Sequence, residues 1–208
     1  METGPIHFPS IRVALPLKQI YARLGYARGV TEVDAGEQER LARAMGDAAA
    51  LVALRGAARI MGIAELGDAG VCLEDGTVFP SRALACMLSG CTGVLLMGAT
   101  AGQAVMDEIA ACSRDNLARA VVLDAVASEM TDAALGWIMD YAGQILIRSA
   151  RRVTKKRFSA GYGDLALDSQ EAMYELLRLD AVGITLTPSR IMVPEKSVTA
   201  IAGVLGMV

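Results

Sequence analysis

The chain has 208 residues, of which 53% are hydrophobic, 21% charged and 4% aromatic, and its formal net charge is -3. That length can bury a sizeable core, and the composition excludes a disordered chain. The charge balance gives no global attraction to nucleic acid. The opening residues Met1-Glu2-Thr3-Gly4-Pro5 lack the basic-then-apolar order of a signal peptide, so a cytoplasmic protein is expected.

Mean hydropathy is +0.40, which raises the question of a membrane span. The most apolar helical stretch, Ala133 to Ile147, carries Asp140 and Gln144 and falls short of the ~20 residues a span needs. Cys72, Cys86, Cys91 and Cys112 form no CxxC pair and match no iron–sulfur spacing, so buried structural thiols are expected. His7 is the single histidine. With no Cys or carboxylate cluster beside it, zinc and a histidine-based triad are both disfavoured, and no metal site is expected.

In chain order, Ser10 to Leu17 alternates weakly and reads as a short strand or an extended lead-in. Asp34 and Glu37 form a capping box that opens a helix to about Leu54, with Leu41, Met45, Ala48, Leu51 and Val52 at helical spacing. Val71-Cys72-Leu73 and Val78-Phe79 flank an Asp75-Gly76 pair, which predicts a hairpin. Ser81 caps a following helix that Gly90 stops.

Gly93 to Met97 is an apolar run of strand length, followed by Gly98-Ala99-Thr100-Ala101-Gly102 and a helix. The order invites a nucleotide-loop reading, but there is no G-x-G-x-x-G and no P-loop lysine, so a tight strand-to-helix connection is expected. Asn116 to about Arg152 is the longest helical pattern, with a break expected near Gly136 or Gly143. Asp124, Glu129, Asp132 and Asp140 lie along it. Carboxylates on so apolar a helix must be solvated or paired, and one facing a cavity could hold a cation.

Asp168 and Glu171 suggest a second capping box, opening a helix through Met173, Leu176 and Leu177. Ile184 to Leu186, Ile191 to Val193 and Val198 to Leu205 read as strands joined by short turns around Pro188 and Pro194, which implies antiparallel pairing. Helices and strands mix without strict alternation. The expected class is α+β, one domain over residues 1–208, a twisted antiparallel sheet packed with long helices.

Between the two last helical patterns lies Arg157-Phe158-Ser159-Ala160-Gly161-Tyr162-Gly163-Asp164. An arginine fork binds a carboxylate through two parallel hydrogen bonds, and glycine lets the backbone approach a flat ligand. A phenol adds an aromatic face, so the segment suits a small zwitterion bearing an aromatic group. A helix-to-helix turn with a solvated arginine accounts for the same residues. Arg148, Arg151, Arg152, Lys155, Lys156 and Arg157 crowd just before it, as a solvated helix end or as a docking patch for an acidic partner.

Several of these residues also carry a resemblance. Arg157-x-x-x-Gly161-Tyr162, Glu175-Leu176-Leu177, Gly183-Ile184-x-Leu186-Thr187-x-Ser189, Met192-x-Pro194 and Ser197-Val198, with Leu123 to Ala127 and Asp132 upstream, resemble the activation domain of cobalamin-dependent methionine synthase. The likeness extends over about residues 116–198 and is closest to free-standing forms of that domain.

The resemblance implies a domain that binds S-adenosylmethionine and restores methylcobalamin after oxidation to the Co(II) state, using an electron from a flavodoxin-type donor. Arg157 would hold the ligand carboxylate. Ser159 and Gly161 would offer backbone hydrogen bonds to the nucleoside, and Tyr162 would flank the ligand. Asp132 stands where the family has a glutamate near the ligand's ammonium, and the family's early aspartate has no counterpart here. Corrinoid carriers use an Asp-x-His-x-x-Gly motif, which His7 does not belong to, so the cobalamin would be carried by a partner, a separate methionine synthase or related corrinoid protein. The alternative is a non-catalytic adaptor for such a corrinoid methyltransferase, without methyl-transfer competence. A Rossmann-type methyltransferase is disfavoured by the missing glycine fingerprint.

Overall fold

The computed structural model describes residues 4–26 and 34–206. Its centre is β5 (Gly93–Thr100), whose eight residues are buried on both faces. This explains the unbroken apolar run: a central strand covered by helices on each side has no polar face to show. The strand runs on through Gly98-Ala99-Thr100, so the glycine segment is part of the sheet and not a nucleotide loop. Gly98 packs closely under the 3-10 turn that follows α6: a Cβ there would lie 2.9 Å from Leu179 Cδ2.

β2 (Arg55–Gly67) pairs with one side of β5, and β9 (Ser197–Gly206) pairs with the other, both antiparallel. β1 (Ile6–Phe8) and β3 (Gly70–Leu73) share the outer edge of β2, and β4 (Val78–Phe79) completes the hairpin expected around Asp75-Gly76. β6 (Arg151–Phe158) pairs with β9 and forms the far edge of this seven-stranded sheet. β7 (Thr185–Leu186) and β8 (Met192–Val193) make a separate two-stranded ribbon. The pairings among the described residues are antiparallel, but the three late strands do not pair in series: β9 joins β5 and β6 and leaves β7 and β8 as a ribbon of their own.

The helices are α1 (Leu17–Arg23), α2 (Ala35–Leu51), α3 (Arg82–Met87), α4 (Gln103–Asp115), α5 (Leu117–Leu146) and α6 (Ser169–Leu177). Local caps work as read: Asp34 accepts from Glu37 N at 2.8 Å, and Ser81 from Leu84 N at 3.0 Å. The strand alternation then divides the interior. Leu95, Met97, Ala200, Ala202 and Val204 face Leu123, Ala127 and Ile138 of α5. Val94, Leu96 and Ile201 face Leu84 of α3, Leu88 just past its end, and Met173 and Leu177 of α6.

Several expectations are corrected. α2 stops at Leu51, before Leu54. Residues 10–16 are an extended lead-in, and the strand precedes them at Ile6–Phe8. α5 is unbroken at Gly136 and Gly143, and it ends at Leu146 instead of running to Arg152. A 3-10 turn at Ile147–Ser149 and a left-handed Ala150 (φ 52°) redirect the chain into β6. The basic run is therefore mostly an edge strand and not a helix end. Asp168 makes no cap bond; it pairs with Arg190 Nε at 3.3 Å. The four cysteines are not fully buried: Cys86 is exposed and the others are intermediate. Among the described residues, no helix is long and apolar enough to cross a membrane.

Candidate functional site

β6 places the key arginine. Its register with β9 jumps from Val153 opposite Val204 to Arg157 opposite Ala202, four steps on one strand against two on the other. A bulge of this kind re-aims the residues beyond it. An even offset preserves facing, so Arg157 shares the side of Val153, which packs towards α5. There its guanidinium Nη2 donates to the Asp132 carboxylate. The expected turn between two helices is thus a strand end running into a turn, with Arg157 half-buried and paired instead of solvated.

The turn that follows is built from its own backbone. Tyr162 N donates to Ser159 O at 3.3 Å, Leu165 N to Tyr162 O at 3.1 Å, and Gly161 N to Leu165 O at 2.8 Å. Gly161 and Gly163 take φ of 85° and 56°, and a Cβ on Gly163 would lie 3.1 Å from Phe158 Cζ. The N–H of Gly161 is committed within the turn, so any backbone contact it makes to a ligand falls to its carbonyl. Tyr162 stands 71% exposed at the tip.

Asp164 ends the turn and was not singled out by sequence reasoning. Its carboxylate accepts from the Ser81 hydroxyl, from Arg82 N at 2.8 Å and from Ala83 N at 3.2 Å, at the first turn of α3. These bonds hold the Asp164 carboxyl below its ordinary value. The Ser81 bond is the largest cause; some loss of hydration works against it, and the Ala83 and Arg82 N–H groups add to the lowering. The turn is therefore tied at one end to the sheet and at the other to α3. Its only sequence signal was a short acid closing a glycine turn, and the group it caps lies more than 80 residues away.

Asp132 also forms part of the wall of a groove of about 270 Å³ between α5 and the start of β9, together with Arg23, Glu129, Lys196 and Val198. Arg23 Nε meets Glu129 Oε1 at 2.6 Å, and Lys196 Nζ meets Asp124 Oδ1 at 2.6 Å. Three of the four α5 carboxylates thus receive a cation from elsewhere in the chain, and the fourth, Asp140, is exposed. The structure brings Arg157 and Asp132 together. Arg157 itself does not line this groove, and neither do Ser159, Gly161 and Tyr162 in the adjoining turn.

A larger apolar groove of about 860 Å³, bordered by Leu24, Tyr26, Leu41, Leu117 and Val121, contains none of the predicted residues. Among the described residues, no three His, Cys, Asp or Glu side chains gather as a metal site would require.

The element order and pairing define an α+β protein in which a seven-stranded antiparallel sheet has helices on both faces. The same fold occurs in a solved structure described as the MetH reactivation domain bound to AdoHcy. The TM-score is 0.66 at 17% sequence identity, covering 96% of this chain and 78% of that one. No protein-family model matches the chain, and no curated protein matches it.

Proposed function

We propose that this chain binds S-adenosylmethionine at Arg157 and the turn after it, and supports reductive methylation of a cobalamin carried by a separate methionine synthase or related corrinoid protein. The observation that carries the reading is the Asp132–Arg157 pair at the base of the Gly161-Tyr162 turn, in a fold whose solved counterpart was bound to AdoHcy.

The chain's groups answer those of the ligand. Arg157 uses one terminal nitrogen on Asp132, and the rest of its fork can receive a carboxylate. Asp132 supplies the acid for an ammonium. The exposed Tyr162 ring offers a face for an adenine or for the sulfonium. No general base or nucleophile is required, because the sulfonium sulfur leaves with the electron pair of its methyl bond while the reduced cobalt supplies the pair for the new one. The protein's task is positioning. The electron that precedes methyl transfer would come from a flavodoxin-type donor, for which the exposed Arg152, Lys155 and Lys156 of β6 offer a basic surface.

Titration calorimetry with S-adenosylmethionine and S-adenosylhomocysteine tests the binding. Saturable heats are expected, and Arg157→Ala should weaken binding at least about tenfold, as expected for loss of a charged hydrogen bond. Binding unchanged in that variant removes Arg157 from the site. Incubation with Co(II)-form methionine synthase, reductant and methyl-labelled S-adenosylmethionine separates the active reading from an adaptor: label reaching cobalt excludes the adaptor, and binding without transfer supports it.

A further inference from the structure

We propose that Thr154 is a positioning residue for Arg157, its hydroxyl holding the β6 bulge that sets the guanidinium against Asp132. The proposal rests on the reading of Arg157 as the ligand's anchor and adds what keeps that anchor in register. At the bulge, Gly203 N of β9 donates to a side chain, Thr154 Oγ1, at 3.0 Å. The same hydroxyl donates to Lys156 O at 3.2 Å, closing the looped-out residues on themselves. One side chain thus satisfies a donor on the neighbouring strand and an acceptor within the bulge.

The competing arrangement is plain. Straight pairing onward from Val153–Val204 would set Lys155 opposite Ala202 and shift Arg157 opposite Ala200, about 7 Å along the strand. Both registers differ by an even number of residues, so the inward and outward sets are the same and apolar patterning does not choose between them. Lysine in the arginine's place offers a point charge and no fork. The Thr154 hydroxyl is a group that favours the bulged register over the straight one. Gly203 makes room for it: a Cβ there would lie 3.0 Å from Thr154 Cγ2 and 2.5 Å from Cys91 Sγ.

The test compares the parent chain with Thr154→Val, which keeps the shape and removes the hydroxyl, and with Thr154→Ser, which restores it. The first readout needs no ligand. Arginine side-chain NMR should show restricted rotation of the Arg157 guanidinium in the parent and in T154S, and free rotation in T154V. The second is affinity for S-adenosylhomocysteine, expected to fall about tenfold in T154V, the scale of one charged hydrogen bond, and to be recovered in T154S. If the parent binds no S-adenosylhomocysteine, the ligand reading fails and the NMR comparison still decides the positioning role. An identical Arg157 signal in T154V, an unrestrained one in the parent, or an equal loss in T154S overturns the proposal. Should T154V not fold, Thr154→Ala takes its place. If neither folds, the residue serves the sheet as a whole and the proposal is overturned.

Discussion

Asp132 and Arg157, 25 residues apart in sequence, close an ion pair between the long helix α5 and the edge strand β6. The Asp132 side chain is 56% exposed and that of Arg157 29%. Accessible pairs of this kind contribute about 0–1 kcal/mol and are screened by salt. Asp132→Asn and Arg157→Ala should therefore each lower stability by no more than about 1 kcal/mol, measured by urea unfolding. A loss of several kcal/mol would assign the pair a structural role and undercut its use as a ligand site.

The Asp164 tie to α3 makes acid sensitivity predictable. A carboxyl whose folded value lies below its ordinary 3.8 stabilises the fold above that value. The contribution fades as pH falls through the lower folded value and is absent below both. Asp164→Asn should be less stable than the parent at pH 7, and the two urea midpoints should converge as the solution is acidified below about pH 4, near the ordinary carboxylate value. Parallel midpoints across that range would show that the charge of Asp164 contributes nothing.

Gly56 of β2 tests how tightly the central strands meet. A Cβ there would lie 2.7 Å from the carbonyl oxygen of Gly98, a backbone atom that cannot swing away, and 3.0 Å from Ile138 Cδ1. Gly56→Ala should cost about 1–3 kcal/mol, the range for overpacked interiors. Thermal and urea unfolding would measure it, and a neutral outcome would mean that the sheet yields more readily than its packing implies.

The cysteines should separate by reactivity. Cys86 is exposed, whereas Cys91 is partly buried and its thiol is pushed up from the ordinary 9.0 by that burial. Since the thiolate is the nucleophile, iodoacetamide at pH 8 should modify Cys86 first and Cys91 markedly later, as followed by peptide mass spectrometry. Equal rates would contradict the packing of Cys91 beside Gly203.

What the sequence disclosed were features decided by near neighbours. The Asp34 and Ser81 caps, the Asp75-Gly76 hairpin, the β5 run and the three late strands each depend on residues within a few positions, and each is present. β2 was missed because Arg55, Gly56 and Arg59 interrupt its apolar pattern, although its neighbours bury Gly56, Ala57, Ala58 and Met61. β6 was misread because the helical period of α5 runs smoothly into a basic stretch; the turn between them depends on the left-handed Ala150, which no glycine announces. Arg157 and Asp132 were legible as a pair of roles through resemblance. Their contact depends on a bulge registered against β9, and the anchoring of Asp164 depends on a helix far upstream. Long-range pairings of that sort leave no local trace.

The complete enclosure of β5 sets a hierarchy of motion. Its amides are bonded within a strand flanked on both edges and covered on both faces, so they should exchange with deuterium only when the whole molecule opens. The Gly161–Gly163 tip is held only by the bonds of its own turn and by Asp164 at the surface, so its amides should exchange through local opening, well before those of the strand beneath.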